Sequence, residues 1–347
     1  MIGGWLHYAA APLVLWRLPV ARVTGRTGTG EPGSLLIAGA NATLRLLAMR
    51  LLPLDRRTEQ LGSRPWHDLL RRADQAETDL SILRLPSMLA DLFDRPPYLV
   101  MPDAIGFEAG IEAMVRSSKS KSVSSNLRRS RKSGLRAEIT QGDRDFDSFY
   151  HSMYQPYAAQ RFGEGALIRT HAQLHRLARR GEIVWLSMPG GPKVAGALVR
   201  RNPPALDVIS MGTSLLPDEA RRLAVAPAIY AACAEHATAL GLASLRLGGA
   251  MPWLTDGVLR FKVNWGATLC TLPNVHRRSL VSWHSPSPVV DTLFALAPVL
   301  WNGRRHRGVV LDASQATTLT VPGLPVNVVP AGAAASSQAL RAALKCD

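Results

Sequence analysis

The sequence predicts an α/β fold of the α+β kind, in which a mixed, largely antiparallel sheet is flanked by helices. Segments with strand-like and helix-like hydrophobic patterns alternate along the chain. Near the middle, three strand-like segments are joined by short turns, which favours an antiparallel meander. The order that follows is loop, helix, strand, helix, strand, and this order predicts a mixed sheet with helices on its faces.

The amino-terminal part of the chain predicts a loop and then alternating elements. A Gly- and Thr-rich stretch at 22–33 predicts the loop. The elements expected after it are an aliphatic segment at 35–54, a helix at 65–74, strands at 80–85 and 98–101, a helix at 108–132 and a strand at 135–140. Gly134 follows the long helical pattern and suits a helix C-cap.

The central part predicts the meander and the elements after it. The expected elements are helices at 146–161 and 170–180, strands at 183–188, 193–200 and 206–211, a helix at 227–240, a strand at 243–247, a short helix around Lys262 and a strand at 268–272. The turn signals are Pro-Gly-Gly-Pro at 189–192 and Asn-Pro-Pro at 202–204. Gly248 and Gly249 would let the chain leave the strand at 243–247 sharply.

Length and composition bound the organisation of the protein. The chain has 347 residues, of which 47% are hydrophobic, so it can form two domains and an extension. We expect an N-terminal region at 1–107, a domain at 108–273 and an extension at 274–347 to which no chemistry is assigned. The 41 Lys and Arg against 26 Asp and Glu give a net charge of +15, which favours polyanionic partners. An arginine-rich coding bias explains the charge equally well.

Cysteine usage and the amino terminus indicate the compartment. Cys233, Cys270 and Cys346 form no CxxC motif and are odd in number, so neither a zinc site nor a disulfide framework is indicated, and a reducing cytoplasm is expected. Residues 1–16 are apolar but are interrupted by Pro12, too short a run to span a bilayer. Two interpretations stay open for them: a helix packed on its own protein, or a peripheral contact with the inner membrane.

The loop before the helix at 227–240 has the features of an anion site. Arg221 and Arg222 precede Ala224 and Ala226, and Pro227 suits the first turn of a helix. Backbone N–H groups at a helix start favour an anion, small side chains let it approach, and an arginine adds a charge-assisted contact. The alternative is an ordinary amphipathic helix start.

The strand, this loop, the long helix, the next strand and the Phe261-Lys262 segment together resemble the second half of the GNAT acyltransferase fold, in its FemAB-like and CelD-like branch. The resemblance covers about 116–272 and implies a GNAT-like sheet, with the preceding residues as a reduced first copy of a tandem pair. In the family, a Q/R-x-x-G-x-G/A loop holds the pyrophosphate of acyl-CoA, and here Arg221-x-x-Ala224-x-Ala226 matches it. Ala224 replaces the first glycine, which a different donor, such as aminoacyl-tRNA, would explain.

The resemblance also implies roles for individual residues. Phe261-Lys262 matches the FK pair of the Fem-type transferases, which places Lys262 at the acceptor and transition-state site. A fixed cation where negative charge develops favours the transition state. The alternative for Lys262 is a surface lysine that covers Trp265. Backbone amides near Met211 and Gly212 would stabilise the oxyanion. Arg246 stands where related chains commonly carry an acid, so no general base is assigned there.

Other residues complete the candidate site. Tyr154, Trp253 and Trp265 are predicted to contact substrate, and a tyrosine among 150–157 could protonate a leaving thiolate. His171 and His175 have the spacing of a metal pair, but no nearby carboxylate in the sequence completes a site, so a surface helix is preferred and no metal is expected. The run from Arg116 to Arg136 carries eight basic and no acidic residues, which suits RNA phosphates or anionic lipid. A solvated fold helix explains that run as well.

The leading hypothesis is a cytoplasmic acyltransferase. It moves an acyl or aminoacyl group from acyl-CoA, or alternatively from aminoacyl-tRNA, to an amine or hydroxyl. The acceptor implied by the resemblance is a cell-envelope or polysaccharide precursor, as a small molecule or linked to a glycan or lipid. The rival hypothesis is a non-catalytic GNAT-like scaffold that binds RNA, including tRNA, or anionic membrane through its basic face.

Overall fold

The computed structural model describes residues 17–39, 41–73, 78–162, 168–270, 272, 277–301 and 305–345. The chain forms two compact units. Unit 1 comprises the described residues up to Ala104, the segment Met251–Asp256 and the described residues after Pro273; unit 2 comprises Ile105–Ala250 and Gly257–Leu272. In the described part of the chain, no helix is long and apolar enough to cross a membrane. Residues 1–16, for which a membrane contact is predicted, lie outside the described residues, as does Cys346.

Unit 1 contains a nine-stranded sheet and helices around it. Its strands are β1 (Arg17–Arg26), β2 (Pro32–Ala38), β3 (Leu54–Pro65), β4 (Leu80–Pro86), β5 (Leu99–Pro102), β13 (Arg277–Ser282), β14 (Val299–Trp301), β15 (His306–Val310) and β16 (Val326–Val328). Its helices are α1 (Ala42–Leu51), α2 (Trp66–Ala73), α3 (Ser87–Leu92), α12 (Pro288–Ala295), α13 (Ala313–Thr318), a 3₁₀ helix (Ala331–Ala335) and α14 (Ser337–Lys345). The strand order is β16-β15-β14-β5-β13-β4-β2-β1-β3.

Unit 2 contains a seven-stranded sheet. Its strands are β6 (Ile105–Gly110), β7 (Arg136–Thr140), β8 (Gly181–Ser187), β9 (Lys193–Asn202), β10 (Ala205–Thr213), β11 (Ser244–Ala250) and β12 (Thr268–Cys270). Its helices are α4 (Ile111–Ser118), α5 (Lys121–Lys132), α6 (Asp143–Phe149), a π-helix (Tyr150–Tyr154), α7 (Gln155–Phe162), α8 (His171–Ala178), α9 (Pro217–Arg222), α10 (Val225–Ala239) and α11 (Gly257–Asn264). The strand order is β12-β6-β11-β10-β9-β8-β7.

The two sheets share one pairing pattern over five strands. In unit 2, β9 and β10 are antiparallel, β10 and β11 are parallel, and β6 and β12 follow antiparallel. In unit 1, the same pattern runs through β1, β2, β4, β13 and β5. The fourth strand of each set is contributed by a remote stretch of chain: β6 follows β5 of unit 1, and β13 follows β12 of unit 2. The chain therefore exchanges one strand between two similar sheets.

The pattern confirms the predicted fold class. Both sheets are mixed and largely antiparallel, and helices flank them. Unit 2 covers nearly the segment predicted as one domain, 108–273, whereas the segments 1–107 and 274–347 both contribute to unit 1. The sheet of unit 1 needs strands from both segments, because β13 lies between β4 and β5.

Most of the predicted central elements are present, and two amino-terminal predictions are wrong. The predicted loop at 22–33 is instead the antiparallel hairpin of β1 and β2, since Val23 and Leu35 are buried on the face of the sheet that packs into the core. The predicted helix at 108–132 begins as strand β6, where Phe107 and Ala109 are fully buried between β11 and β12. Gly248 and Gly249 do not end the strand, which continues to Ala250.

A buried ionic cluster joins α10 to the sheet of unit 2. The Glu182 carboxylate of β8 accepts hydrogen bonds from Arg201 at 2.6 Å, His236 at 2.8 Å and Gln141 at 2.9 Å. Burial opposes ionisation of Glu182, but these donors outweigh it and lower its pKa to about 2. The cluster fixes the carboxyl-terminal half of α10, so the amino terminus of this helix has a defined position on the sheet.

Candidate functional site

The central feature of the site is the divergence of two parallel strands in unit 2. β10 and β11 pair only from Ala205 with Ser244 to Asp207 with Arg246. Beyond that point a β-bulge interrupts each strand: the pairing of β10 with β9 shifts at Val208–Ser210, and that of β11 with β6 shifts between Arg246 and Gly249. Bulges bend strands and increase their twist. The result is a wedge-shaped gap between β10 and β11, which we call the β10–β11 wedge. Within it, the backbone groups of the two strands are not hydrogen-bonded to one another.

The amino terminus of α10 follows β10 through α9 and presents free amides. Its N-cap residue Ala224 has φ 54° and ψ 45°, and no side chain caps the helix. Within the described chain, the N–H groups of Val225 and Ala226 donate to no backbone carbonyl, and Pro227, third in the helix, has no N–H. Two unpaired donors and the positive end of a 15-residue helix therefore lie together at this helix start. This arrangement suits a phosphate group.

Arg221 and Arg222 lie in the last turn of α9, directly before this helix start. Their side chains are 78% and 69% exposed, and they form ion pairs with Asp218 at 3.5 Å and Glu219 at 3.7 Å within the same helix. Exposed pairs of this kind contribute at most about 1 kcal/mol. Both guanidinium groups can therefore turn to a bound anion at small cost.

Lys262 is buried beside the wedge. The residue is 3% exposed, its Nζ donates to the Gly249 carbonyl oxygen of β11 at 2.5 Å, and Nζ lies 5.7 Å from the centre of the Phe107 ring. The alternative of a surface lysine covering Trp265 is wrong, since the ammonium group is inside the protein. A cation held in a buried position acts more strongly on nearby charge than one in water does.

Aromatic packing holds α11 against α10. The Tyr230 ring of α10 lies 5.1 Å from the Phe261 ring and 5.8 Å from the Trp265 ring. Trp265 is only 2% exposed and Phe261 is half-buried. Burial also raises the pKa of Tyr230, so its hydroxyl stays protonated. Trp265 thus positions the helix that carries Lys262, and its ring has little surface left for direct contact with a substrate.

The π-helix packs on the outer part of β10. A Cβ added to Gly212 would lie 2.6 Å from the Met153 carbonyl, closer than real contacts allow, so glycine permits the approach of the two backbones. Tyr154 is buried, and its hydroxyl accepts a hydrogen bond from the Arg169 N–H at 3.0 Å. The structure therefore places Tyr154 in the support of the wedge, where a bond to the main chain occupies its hydroxyl oxygen.

Trp253 lies apart from these residues. It belongs to unit 1, where its side chain is buried in the core and its backbone bridges to Pro298. The predicted contact of Trp253 with substrate is therefore not supported, because packing within unit 1 covers the ring. Lys262, Phe261, Gly212 and the α9–α10 residues all lie in unit 2.

A row of alternating charges crosses the sheet at the closed end of the wedge. Arg246 of β11 reaches Glu108 of β6 at 3.3 Å and Asp207 of β10 at 3.4 Å, and Arg200 of β9 reaches Asp207 at 3.0 Å. Sequence reasoning misses Glu108, because the local pattern places that residue in a helix, and it misses Asp207. The available signal is the lone charged residue within each of the strands β6, β10 and β11. The row fixes the register where β10 and β11 part.

His171 and His175 lie on helix α8, in the predicted helical segment, but a carboxylate lies near each of them. His171 Nε2 lies 2.8 Å from Asp147 and His175 Nε2 lies 2.9 Å from Asp143. These carboxylates come from α6, which packs beside α8 and is distant in sequence from it. Among the described residues, no group of three or more His, Cys, Asp or Glu side chains is arranged to hold a metal ion.

No protein-family model matches the chain, and no curated protein matches it. Several solved structures are similar in shape. L-PGS from Bacillus licheniformis matches at 12% identity and a TM-score of 0.38, over 81% of this chain and 89% of that one. FemX matches at 12% identity and a TM-score of 0.39, over 75% of this chain and 88% of that one. A GCN5-related N-acetyltransferase from Sphaerobacter thermophilus matches at 11% identity and a TM-score of 0.33, over 74% of this chain and 78% of that one.

Proposed function

We propose that unit 2 is an acyltransferase domain that moves an acyl group from acyl-CoA to an amine or hydroxyl acceptor. One observation carries the proposal: the uncapped amino terminus of α10 follows, through the short helix α9, the strand that forms one wall of the β10–β11 wedge. A pyrophosphate held on the Val225 and Ala226 amides would leave the acyl end of the donor free to enter the wedge. Aminoacyl-tRNA, which also carries phosphates, is the alternative donor.

The corresponding helix of unit 1 supports this choice of site. In the shared strand pattern, β2 corresponds to β10, and α1 follows β2 as α10 follows β10. However, the N-cap of α1 is Asn41, whose side-chain oxygen accepts the Leu44 N–H at 2.9 Å. A capped helix start has fewer free donors for a phosphate. Unit 2 therefore has the uncapped helix start that the proposal needs, and the equivalent helix start in unit 1 is capped.

The chemistry follows from the groups around the wedge. An acceptor nitrogen or oxygen attacks the acyl carbonyl, and the carbonyl oxygen gains negative charge as the tetrahedral intermediate forms. Backbone N–H groups of β10 near Met211 and Gly212 and the ammonium group of Lys262 would stabilise that charge. The thiolate of CoA then leaves and the acceptor loses a proton. A cell-envelope or polysaccharide precursor is the acceptor class that the sequence resemblance suggests.

Calorimetric titration with acetyl-CoA and longer acyl-CoAs tests the donor site. We expect the wild-type protein to bind, and the Arg221→Ala, Arg222→Ala double variant to bind at least about tenfold more weakly, since each arginine can add a charge-assisted contact to the phosphates. The matched control is Arg179→Ala, Arg180→Ala, which removes the same charge from an exposed part of unit 2. Equal loss in both variants would show a general charge effect. Absence of binding by the wild type would exclude acyl-CoA, and charged tRNA would be titrated next.

Lys262 is tested by turnover. The Lys262→Met variant keeps the apolar stem of the buried side chain and removes its charge. We therefore expect turnover to slow by about a hundredfold or more, as for the loss of one group that stabilises an oxyanion. Donor binding should change little. Unchanged turnover in a folded Lys262→Met variant would remove Lys262 from the mechanism.

A second candidate function has its own observation. Helix α5 buries Val123 and Leu127, and it exposes Lys121, Arg128, Arg129, Arg131 and Lys132 to solvent. None of these five cations forms an ion pair with another described residue. Such a surface suits a polyanion. On this alternative, the domain is a scaffold that binds RNA or an anionic membrane and transfers nothing.

A further inference from the structure

The hydroxyl of Ser210 is an unsatisfied polar group in the interior of unit 2. Its Oγ is buried and has no hydrogen-bond partner, and among the described residues of unit 2 no other side-chain oxygen or nitrogen shares this state. A serine hydroxyl carries one donor and two acceptor sites. Leaving it buried and unpaired costs about 1–3 kcal/mol. Buried polar groups are nearly always paired, so this exception needs an explanation.

Ser210 lies in the part of β10 that forms the wedge. It follows the bulged residue Ile209, three positions beyond Asp207, the last residue of β10 that pairs with β11. Its partner across β9 is Leu198, so both side chains project on the face of the sheet where Phe149 and Trp185 pack. Ser210 as a residue is partly exposed although its Oγ is not. Rotation about one bond, Cα–Cβ, therefore redirects the hydroxyl.

The surroundings of Ser210 are held rigidly. The carbonyl oxygen of Ile209 accepts a hydrogen bond from Arg169 Nη1 at 3.2 Å. The main chain of Arg169 is held by two tyrosines of the π-helix: the Tyr150 hydroxyl donates to its carbonyl oxygen at 3.1 Å, and the Tyr154 hydroxyl accepts from its N–H at 3.0 Å. With Gly212 packed on the Met153 backbone, this part of β10 is held at two points by the π-helix and Arg169. Because the main chain that carries Ser210 is held in place, only the hydroxyl itself has to rotate when a ligand arrives.

We propose that the Ser210 hydroxyl donates a hydrogen bond to the carbonyl oxygen of the acyl group of an acyl-CoA bound in the β10–β11 wedge. The inference rests on the proposed function. It adds a side-chain contact on the acyl group itself, whereas Arg221, Arg222 and the α10 amides contact only the phosphates. The Ser210 hydroxyl is then unpaired in the free protein and becomes paired when the acyl group binds. The free protein is less stable than it would be without this unpaired hydroxyl.

The experiment compares acetyl-CoA with CoA, which lacks the acyl group. We expect Ser210→Ala to bind acetyl-CoA about five- to tenfold more weakly than the wild type, as the loss of one neutral hydrogen bond implies, and to bind CoA with unchanged affinity. Ser210→Cys, similar in size but a weak donor, should show most of this loss. The matched control is Ser214→Ala, which removes an exposed hydroxyl from the loop directly after β10, where it donates to the Val194 carbonyl oxygen. This control should leave both affinities unchanged.

Chemical denaturation gives a second readout that needs no ligand. Because Ser210→Ala removes an unpaired buried hydroxyl, its free energy of unfolding should equal or exceed that of the wild type. Equal acetyl-CoA affinity in Ser210→Ala and the wild type would overturn the Ser210 assignment alone, as would a marked loss of stability in Ser210→Ala. If the wild type binds neither acetyl-CoA nor CoA, the proposed donor fails and the Ser210 assignment fails with it.

Discussion

Ala224 is the residue on which the proposed donor site depends most directly. It starts α10 with a positive φ, a conformation that costs a non-glycine residue about 1–2 kcal/mol. The positive φ at Ala224 is a conformation that glycine adopts without this cost. Compared with glycine, the alanine adds a methyl group beside the Val225 and Ala226 amides.

Replacement of Ala224 separates backbone shape from side-chain size. Ala224→Gly relieves the strained conformation but adds flexibility to the unfolded chain, so we expect its stability to lie within about 1 kcal/mol of wild type and its affinity for acyl-CoA to be equal or higher. Ala224→Val should lose stability, since a β-branched residue is poorly tolerated at positive φ. Thermal unfolding and titration measure both effects. Weaker donor binding in Ala224→Gly would argue against a phosphate at this helix start.

At the scale of elements, the wedge depends on how β10 meets the π-helix. The two backbones approach so closely at Gly212 that no side chain fits between them. The same contact positions Tyr154, which supports Arg169 beside Ile209. A local change at Gly212 should therefore affect both the fold and the site.

We expect Gly212→Ala to destabilise unit 2 by about 1–3 kcal/mol, the usual cost of overpacking, and to weaken acyl-donor binding. Gly110→Ala is the matched control in the same sheet, because a Cβ there would meet nothing within 4 Å. Denaturant unfolding of the three proteins measures the difference. Equal stability of Gly212→Ala and Gly110→Ala would show that the π-helix can move away from β10.

The Glu182 cluster gives the attachment of α10 a pH dependence. The pKa of Glu182 is lowered from 4.5 to about 2 in the folded protein. The stabilisation is therefore complete above pH 4.5, the pKa of the unfolded chain, and is lost as the pH falls from 4.5 towards 2. Glu182→Gln should be less stable by about 2 kcal/mol at neutral pH. Its deficit relative to wild type should shrink as the pH falls through this window, as measured by unfolding at each pH; a constant deficit would contradict the cluster.

At the scale of the whole molecule, two sheets with one pairing pattern have different helix starts. The Asn41 side chain caps the amino terminus of α1 in unit 1, whereas no side chain caps the amino terminus of α10 in unit 2. This contrast favours donor binding in unit 2. The net charge of +15 adds a long-range attraction for any polyanionic ligand, and the exposed cations of α5 are its densest source in the sequence.

The basic face can be tested through salt dependence. We expect the protein to bind duplex RNA with little sequence preference, and the affinity to fall steeply as salt rises. Replacing Arg128, Arg129, Arg131 and Lys132 with Gln should make the slope of log affinity against log salt shallower, by about 0.9 for each phosphate that the protein no longer neutralises. Titrations at several salt concentrations measure the slope. An unchanged slope would show that the RNA does not touch α5.

Much of unit 2 is predictable from the sequence because its signals are local. Alternating hydrophobic residues and short turns predict β8, β9 and β10 with nearly correct bounds, and the position of Lys262 between Phe261 and Trp265 indicates a buried cation, in agreement with its 3% exposure. Trp253 is near Lys262 in sequence, and proximity in sequence alone suggests that it belongs to the site. Its burial in unit 1 depends on contacts with β14 and α12, which begin more than 30 residues later.

Composition, periodicity and the properties of helix starts are local, and from them follow the class of fold, the basic character of the protein and the α9–α10 segment as a candidate anion site. The tertiary structure was needed to show which strands pair, that β6 and β13 are exchanged between the sheets, that Glu108, Asp207 and Arg246 form one row, and that Ser210 is buried without a partner. Each of these depends on residues far apart in the chain, and their proximity is set by the packing of whole elements.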